Sequence, residues 1–262
     1  MSLKKLILTL PLFCLACHSD KPETKNHSNK RTSLKSKETS LSKTDIYYSQ
    51  NQGNDSASIS TGTYSNGKLI NGKLIPFSGK NFEYFSEASY LSGRAFVSDR
   101  VLKTLLDTYE ELETLYPGKK FYIMETSHKN GGKFYPHRTH QNGLSVDLMT
   151  PMLKDGKDYA GLDRLDIPHY WISFDENGVF SKDKNTIIHF NLVAHHILLL
   201  DKHARKYGLQ VNRVHFKNDL HDDLYATAYG KELRKKGIIL TQLSPFISEQ
   251  HDDHFHVDFI FI

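Results

Sequence analysis

From His254 to Phe259 the chain alternates polar and apolar residues, and this alternation constrains the fold more than any other feature of the sequence. In an extended strand, successive side chains point to opposite faces. The polar face carries His254, His256 and Asp258, and the apolar face carries Phe255, Val257 and Phe259. The apolar face must pack against a core, whereas we expect the polar face to lie where water reaches it. The sequence therefore predicts a one-sided strand whose outer face gathers imidazoles.

Other segments predict the elements around this strand. Helical spacing of apolar residues extends over 98–115, 187–207 and 224–236. Strand patterns occur at 121–124, 143–148 and 211–216. Residues 150–185 are polar without a sustained period, and we expect them to wrap the surface. Together these patterns predict an α+β domain with a small, mainly antiparallel sheet, flanking helices and long loops.

The composition limits the possible partners and cross-links. The 262 residues include 34 Lys and Arg against 30 Asp and Glu, a formal net charge of +4. Because a nucleic-acid binder needs a concentrated basic face, this small and scattered excess argues against nucleic acid as a partner. The chain has two cysteines, Cys14 and Cys17, so no disulfide is expected in the folded part. A chain of this length can be stabilised by its own core.

The first residues have the pattern of a bacterial export signal. Two lysines precede the apolar run Leu6–Leu15, and Ala16 stands directly before Cys17. This arrangement resembles a lipobox and predicts a lipoprotein signal peptide over 1–16, with lipidation of Cys17. Because Cys14 takes a position where a branched aliphatic residue is usual, ordinary signal-peptide cleavage nearby remains an alternative.

The segment after the leader differs in composition from the rest of the chain. Residues 20–58 are rich in Ser, Thr, Asn and Lys and nearly free of apolar residues. Such a segment cannot bury enough surface to offset the entropy of ordering. We therefore expect 17–58 to be a disordered tether and 59–262 to be the folded domain. The protein is expected in the periplasm or at the cell surface, contacting the membrane only through its lipid anchor.

A second polar cluster, between His140 and Asp147, complements the terminal strand. A glycine-containing turn between them allows the imidazole and the carboxylate to point to one place. With His256 they form a set of two histidines and one aspartate, which is normal for catalytic zinc and leaves the fourth position to water. His195 and His203 lie among leucines at helical spacing and are interpreted as structural residues.

Three segments resemble the penicillin-insensitive murein endopeptidases, a family among the zinc peptidases that include lysostaphin-type enzymes and D-Ala-D-Ala carboxypeptidases. They are Gly131–Gly132, the run HRTHQNGLSVD at 137–147 and the run HDDHFHV at 251–257. The resemblance covers the chain from about residue 60 to its last residue. It implies a hedgehog/D-Ala-D-Ala-peptidase-like fold and a zinc metallopeptidase domain over 59–262.

The resemblance also implies roles for individual residues. The implied zinc ligands are His140, Asp147 and His256. His254 corresponds to the neighbouring base or transition-state stabiliser, and His137 and His251 correspond to additional histidines near the metal or the substrate. Some members hold a second metal through an Asp and a His three residues apart. Because the corresponding segment, 175–178, contains no histidine, we expect one catalytic zinc ion.

The implied activity is that of a metallo-endopeptidase acting on peptidoglycan peptide stems. Two neutral imidazoles and one carboxylate leave bound zinc positively charged, which lowers the pKa of zinc-bound water toward about 7 and supplies the nucleophile. The expected bond is the D-alanyl-meso-diaminopimelate cross-link. Asp258 is interpreted as an exposed carboxylate, with orientation of an imidazole as the alternative.

Three other interpretations remain open. A D-Ala-D-Ala carboxypeptidase, or another wall peptidase of the same zinc group, differs in how its cleft treats a terminal carboxylate. A non-catalytic, zinc-stabilised peptidoglycan-binding lipoprotein is an alternative of another class, although a structural zinc normally has four protein ligands and needs no His254. A jelly-roll site that binds metal through both His254 and His256 is disfavoured by the predicted helices.

Overall fold

The computed structural model describes residues 41–262, of which 42–262 form one compact unit. The α-helices are α1 (Lys43–Asn51), α2 (Glu87–Leu91), α3 (Asp99–Leu115), α4 (Phe190–Lys206), α5 (His221–Ala226), α6 (Ala228–Lys235) and α7 (Pro245–Ser248). The strands are β1 (Ile59–Thr63), β2 (Asn66–Ile70), β3 (Lys73–Leu74), β4 (Phe82–Tyr84), β5 (Phe96–Val97), β6 (Phe121–Ile123), β7 (Ser145–Met149), β8 (Met152–Lys154), β9 (Lys157–Tyr159), β10 (Thr186–Ile188), β11 (Leu209–His215) and β12 (His254–Phe261). Short 3₁₀ helices occur at Ile167–Trp171 and Asn218–Leu220.

The main sheet has five strands in the order β11-β12-β7-β6-β4. Only β4 and β6 are parallel, and the other neighbouring pairs are antiparallel. Smaller sheets pair β1 with β2, β3 with β5, and β8 with both β9 and β10. This combination of helices and small, mainly antiparallel sheets confirms the α+β prediction. The terminal strand β12 lies inside the main sheet, between β11 and β7.

The apolar face of β12 packs as its alternation predicts. Phe255, Val257 and Phe259 are fully buried. On this side α4 contacts the sheet, and the ring of its His196 meets that of Phe255 at a centroid distance of 5.5 Å. Helix α3 packs against α4 and begins at the predicted serine, because the Ser98 hydroxyl accepts a hydrogen bond from the amide of Val101. The two long predicted helices thus cover the core face of the sheet.

The polar face of β12 is buried as well, so the expectation that it lies open to water is wrong. His254, His256 and Asp258 are at most 3% exposed. Side chains from two loops and a 3₁₀ helix cover this face, and they include His140, His251 and Tyr170. Period-two alternation separates the two faces of a strand, but it carries no information about what the connecting loops place over them.

Residues 150–185 contain more structure than their polar sequence predicts. They form β8, β9 and the 3₁₀ helix at Ile167–Trp171, and β10 follows at Thr186. This region buries His169, Phe174 and Phe180. The predicted helix 187–207 accordingly begins later, at Phe190, and the predicted helix 224–236 is divided into α5 and α6 by Thr227, whose hydroxyl caps α6.

The predicted tether is wrong for residues 43–51, which form α1. Its first turn has a capping box in which the Ser42 hydroxyl and the Asp45 carboxylate each accept a hydrogen bond from the other residue's amide. Packing adds to this cap, because Tyr47 and Tyr48 lie against the core and the ring of Tyr47 meets that of Tyr90 at a centroid distance of 5.6 Å. The predicted signal peptide, Cys17 and the remainder of the tether up to residue 40 lie outside the described residues. Among residues 41–262, no helix is long and apolar enough to cross a bilayer.

Candidate metal centre and active site

Two neighbouring strands bring the predicted ligands Asp147 and His256 face to face. They are paired residues of the antiparallel strands β7 and β12, and side chains of such pairs lie on the same face of the sheet. His140 comes from the loop before β7, where its backbone takes a left-handed conformation at φ 67°. Gly143 is also left-handed, and a Cβ there would lie 2.7 Å from a methyl group of Leu69. This tight turn directs His140 over the paired strands.

The three predicted ligands meet at one point. His256 Nδ1 lies 2.8 Å from Asp147 Oδ1 and 3.1 Å from His140 Nε2. His140 Nε2 lies 3.2 Å from Asp147 Oδ2. Ligands about 2.0–2.1 Å from a tetrahedral zinc ion are separated by about 3.3 Å, so these spacings are close to those of a zinc site. The structure therefore brings together the three side chains that the sequence analysis selected.

His137 lies beside the same three residues. His137, His140 and Asp147 form a group in which one potential ligand atom from each residue lies within 4.8 Å of the others. His137 Nδ1 is 3.6 Å from Asp147 Oδ2, and its Nε2 is 2.7 Å from a carboxylate oxygen of Glu125. Nδ1 of His137 is therefore directed toward the carboxylate of Asp147, one of the predicted ligands.

The buried polar atoms and the charges of the cluster are suited to binding a cation. Asp147 Oδ2 is buried without a hydrogen-bond partner among residues 41–262. Burial alone would raise the pKa of Asp147, but neighbouring His140 and His254 hold it well below its usual range. Burial lowers the pKa of His140, which favours the neutral imidazole that a metal requires. Burial also opposes protonation of His256, yet Asp258 and Asp147 raise its pKa to about 10. This buried group of carboxylates thus attracts positive charge.

Asp258 contacts the ring nitrogen of His256 that does not face Asp147. Its Oδ1 lies 2.8 Å from His256 Nε2, and it also accepts hydrogen bonds from Ser145 and Arg213. Asp258 is 0% exposed, so its interpretation as an exposed carboxylate is wrong. The alternative, orientation of an imidazole, agrees with this geometry. Histidines that bind metals commonly have a carboxylate at their other nitrogen, which fixes the tautomer and the ring orientation.

His254 lies at the edge of the cluster. Its Nε2 is 4.0 Å from Asp147 Oδ2, and its Nδ1 is 2.5 Å from Asp253 Oδ1. Burial would lower the pKa of His254, but Asp147 and Asp253 together raise it. The sequence analysis missed Asp253, although it directly precedes His254. In the pair of His254 and Asp253, Nε2 of the imidazole points toward the cluster, and the carboxylate stabilises the protonated ring.

A buried ion pair holds His137. Arg94 binds both carboxylate oxygens of Glu125 through Nε and Nη2, and its guanidinium lies 3.9 Å from the ring centre of Phe134. Despite the burial of Glu125, hydrogen bonds from His137 and Arg94 lower its pKa to about 2. The sequence analysis missed both members of this pair. Glu125 directly follows the predicted strand 121–124, which was the available signal.

Two further histidines surround the cluster. The predicted site residue His251 lies with its ring centroid 4.9 Å from that of His254, and its Nδ1 is 2.8 Å from the carbonyl of Ile247. His215, which the sequence analysis left unassigned, stacks on His256 at 4.7 Å. Burial lowers the pKa of His251 to about 3 and that of His215 to about 2. Both rings are therefore neutral at pH 7.

Comparison with known proteins agrees with the resemblance in the sequence. A family model described as penicillin-insensitive murein endopeptidase matches residues 60–260. The chain belongs to this family. No curated protein sequence gives a significant match. As a penicillin-insensitive murein endopeptidase family member, the protein is a peptidase of a family whose substrate is murein, and the cluster of His137, His140 and Asp147 provides a possible metal site within the matched region.

Proposed function

We propose that this protein is a zinc-dependent endopeptidase that hydrolyses D-alanyl-meso-diaminopimelate cross-links between peptidoglycan stems. The observation that carries the proposal is the convergence of His140, Asp147 and His256, whose potential ligand atoms are 2.8–3.2 Å apart. Asp147 adds a buried carboxylate oxygen that has no hydrogen-bond partner in the described part of the chain. This donor set is that of catalytic zinc sites, and membership of the family supports murein as the substrate.

The proposed zinc ligands are His140, Asp147 and His256. When bound, zinc would polarise the scissile carbonyl and lower the pKa of a water molecule. Asp258 would act as a positioning residue, because its contact with Nε2 of His256 leaves Nδ1 directed toward Asp147. No serine or cysteine nucleophile is required, so β-lactams, which acylate a serine, should not inhibit the enzyme.

His254 is the proposed proton-transferring residue. Its Nδ1 contacts the carboxylate of Asp253, while its Nε2 is directed toward Asp147. Nε2 is therefore the atom that can take a proton from the attacking water and return it to the leaving amine. Asp253 stabilises the imidazolium form between these two steps, which agrees with the raised pKa of His254.

His137 is proposed to contact the metal or the substrate through Nδ1. Glu125 is ionised at neutral pH because its pKa is about 2, so it can only accept hydrogen bonds. Nε2 of His137, 2.7 Å from Glu125, must then be the protonated nitrogen. This arrangement leaves Nδ1 directed toward Asp147 Oδ2. His251 remains a proposed substrate-binding residue because its ring packs against that of His254.

A second candidate function is non-catalytic binding of peptidoglycan with a structural zinc ion. The position of His137 favours it, because Nδ1 lies 3.6 Å from Asp147 Oδ2 and could complete a shell of four protein ligands. The pairing of His254 with Asp253 favours catalysis instead, because a closed structural site has no use for a proton-transferring pair.

Digestion of purified cross-linked muropeptides, followed by mass spectrometry, tests the proposed function. We expect dimers to become monomers, a chelator to stop the reaction and added zinc to restore it. Loss of only the terminal D-Ala would identify a carboxypeptidase. Binding of zinc and muropeptides without any cleavage would identify the non-catalytic alternative.

We also propose that the protein is an exported lipoprotein, anchored through Cys17 in the periplasm or at the cell surface. The proposal rests on the leader sequence alone. Metabolic labelling with a fatty acid should mark the wild-type protein and not the Cys17→Ser variant. An unlabelled wild-type protein would contradict the anchor.

A further inference from the structure

Tyr170 lies beside the candidate active site with its hydroxyl group directed inward. It belongs to the 3₁₀ helix Ile167–Trp171, in a segment that the sequence analysis assigned to the surface. Its side chain is partly exposed, yet its hydroxyl oxygen is buried. Tyrosines near a surface usually bury the ring and keep the hydroxyl in water. Tyr170 has the opposite arrangement, because its side chain is partly exposed while its hydroxyl oxygen is buried, and a buried hydroxyl needs a polar partner.

The ring of Tyr170 lies at the catalytic cluster, and its hydroxyl oxygen is buried there. The ring of Tyr170 meets that of His254 edge-on, with centroids 5.8 Å apart and an interplanar angle of 88°. Burial, together with the carboxylates of Glu125, Asp147 and Asp253, raises the pKa of Tyr170 well above its ordinary value. The phenol therefore stays protonated at neutral pH, so it can donate a hydrogen bond but cannot act as the general base.

The 3₁₀ helix that carries Tyr170 is attached to the active-site strand. The preceding residue, His169, is 0% exposed, and its ring nitrogens lie 3.0 Å from the carbonyl of Leu162 and 3.2 Å from that of Asp253. Asp253 also holds the imidazole of His254 through its carboxylate. Asp253 therefore contacts both the residue next to Tyr170 and the ring of His254, which attaches the 3₁₀ helix to the proposed proton-transferring group.

A buried donor at this position lacks an acceptor. Within residues 41–262 the Tyr170 hydroxyl has no hydrogen-bond partner, and a buried hydroxyl without a partner destabilises the folded protein. A preorganised donor of this kind stabilises negative charge that appears only during reaction. We propose that Tyr170 is a further catalytic residue, whose hydroxyl donates a hydrogen bond to the carbonyl oxygen of the scissile bond as negative charge develops on that oxygen. This inference rests on the proposed endopeptidase function.

The variant Tyr170→Phe tests the inference because it removes only the hydroxyl. We expect kcat to fall on the order of 100-fold, the usual effect of losing one such donor, with KM and zinc content unchanged. A phosphinate analogue of the cross-link, which carries charged oxygens at the position of the reacting carbonyl, should bind the variant more weakly by a similar factor. The melting temperature of the metal-free variant should equal or exceed that of the wild type, because no hydrogen bond is lost.

Tyr90→Phe is the matched control. The Tyr90 hydroxyl is buried outside the site and donates a hydrogen bond to the carbonyl of Ile75 at 2.7 Å. This variant should melt at a lower temperature and keep the kcat of the wild type, which is the opposite pattern from Tyr170→Phe.

The outcomes separate this inference from the proposed function. If the wild-type protein cleaves no muropeptide, the proposed function is wrong and the inference falls with it. If the wild type cleaves and Tyr170→Phe keeps full kcat, only the inference is overturned. A fall in kcat that is accompanied by a lower melting temperature and unchanged affinity for the phosphinate would show a structural role for the hydroxyl, which also overturns it.

Discussion

Two groups of buried histidines, one on α4 and one around β12, differ in what their nitrogens contact. The α4 group is His195, His196 and His203, and the β12 group is His140, His254 and His256. On α4, the structural interpretation of His195 and His203 is confirmed: His195 contacts the hydroxyl of Tyr116 at 2.6 Å, and His203 contacts Glu111 at 2.7 Å. In the β12 group, by contrast, a nitrogen of every ring lies within 4.0 Å of Asp147.

The comparison teaches that burial alone does not make a histidine functional. Burial lowers the pKa of His195 and His196, and no carboxylate reverses the effect. Burial acts on His254 and His256 in the same direction, yet nearby carboxylates raise both of their pKa values. A carboxylate that several rings share, with one oxygen that accepts no hydrogen bond from residues 41–262, therefore distinguishes a candidate cation site from buried histidines that serve packing.

The largest expected effect comes from removing the shared carboxylate. Asp147→Asn should abolish tight zinc binding and lower muropeptide cleavage at least about 1000-fold, because bound zinc supplies several kcal/mol of transition-state stabilisation. Zinc content and cleavage rate are the measurements. Asp201→Asn is the control, because Asp201 is a buried carboxylate of α4 that binds Arg205. If Asp147→Asn retained zinc as well as this control does, the two groups of histidines would not differ as described.

Removing the proposed proton-transferring residue should leave the metal in place. His254→Ala should retain stoichiometric zinc and lose about 100- to 10,000-fold in kcat. The matched change on α4, His195→Ala, should alter the melting temperature and leave kcat unchanged. Wild-type turnover in His254→Ala would exclude the mechanism proposed for this residue.

A smaller effect should follow from removing the carboxylate behind a proposed ligand. Asp258→Asn should weaken zinc binding about 10- to 100-fold, because His256 would lose the charged acceptor that orients its ring. Glu111→Gln removes the charge of the carboxylate that contacts His203, and it should leave the zinc affinity unchanged. Competition with a chromophoric chelator measures the zinc affinity of both variants. Equal affinities in the two variants would contradict the positioning role of Asp258.

The smallest expected effect concerns His196, whose pKa is lowered to about 3 by burial. Below its ordinary pKa of about 6.5, the unfolded chain binds a proton that the folded chain does not, so stability falls as pH decreases. Between pH 7 and pH 5 this residue should remove about 2 kcal/mol of unfolding free energy. His196→Leu should remove this part of the pH dependence, as measured by urea unfolding at both pH values. An unchanged pH dependence in the variant would show that His196 is protonated in the folded protein.

Much of the fold follows from local patterns. The sequence pattern predicted the alternation in β12, the apolar spacing in α3 and α4, and the serine cap of α3. Each of these features depends on contacts within a few residues or on which side chains of an element face the core. Helix α1 was missed because its capping box and the packing of Tyr47 against Tyr90 outweigh its polar composition. The strands within 150–185 were missed because pairing between short, distant segments leaves no period in the sequence.

The sequence also predicted the proposed ligands, but it did not predict the residues that surround them. His140, Asp147 and His256 were selected from residue types and spacing, and resemblance to the family added the roles of His254, His137 and His251. Glu125, Arg94 and Tyr170 approach the cluster from other loops and elements, so no local pattern marks them. Asp258 was visible, but its burial depends on loops that pack over the strand.

By itself, the sequence determined which face of β12 carries imidazoles, which helices cover the core and to which family the chain belongs, because these properties depend on residue order along short segments. Tertiary structure alone decided that the imidazoles are buried, that they share one carboxylate and that a tyrosine ring packs against one of them. The physical reason is that burial and charge at a site are sums over all neighbouring groups, and those neighbours come from distant parts of the chain.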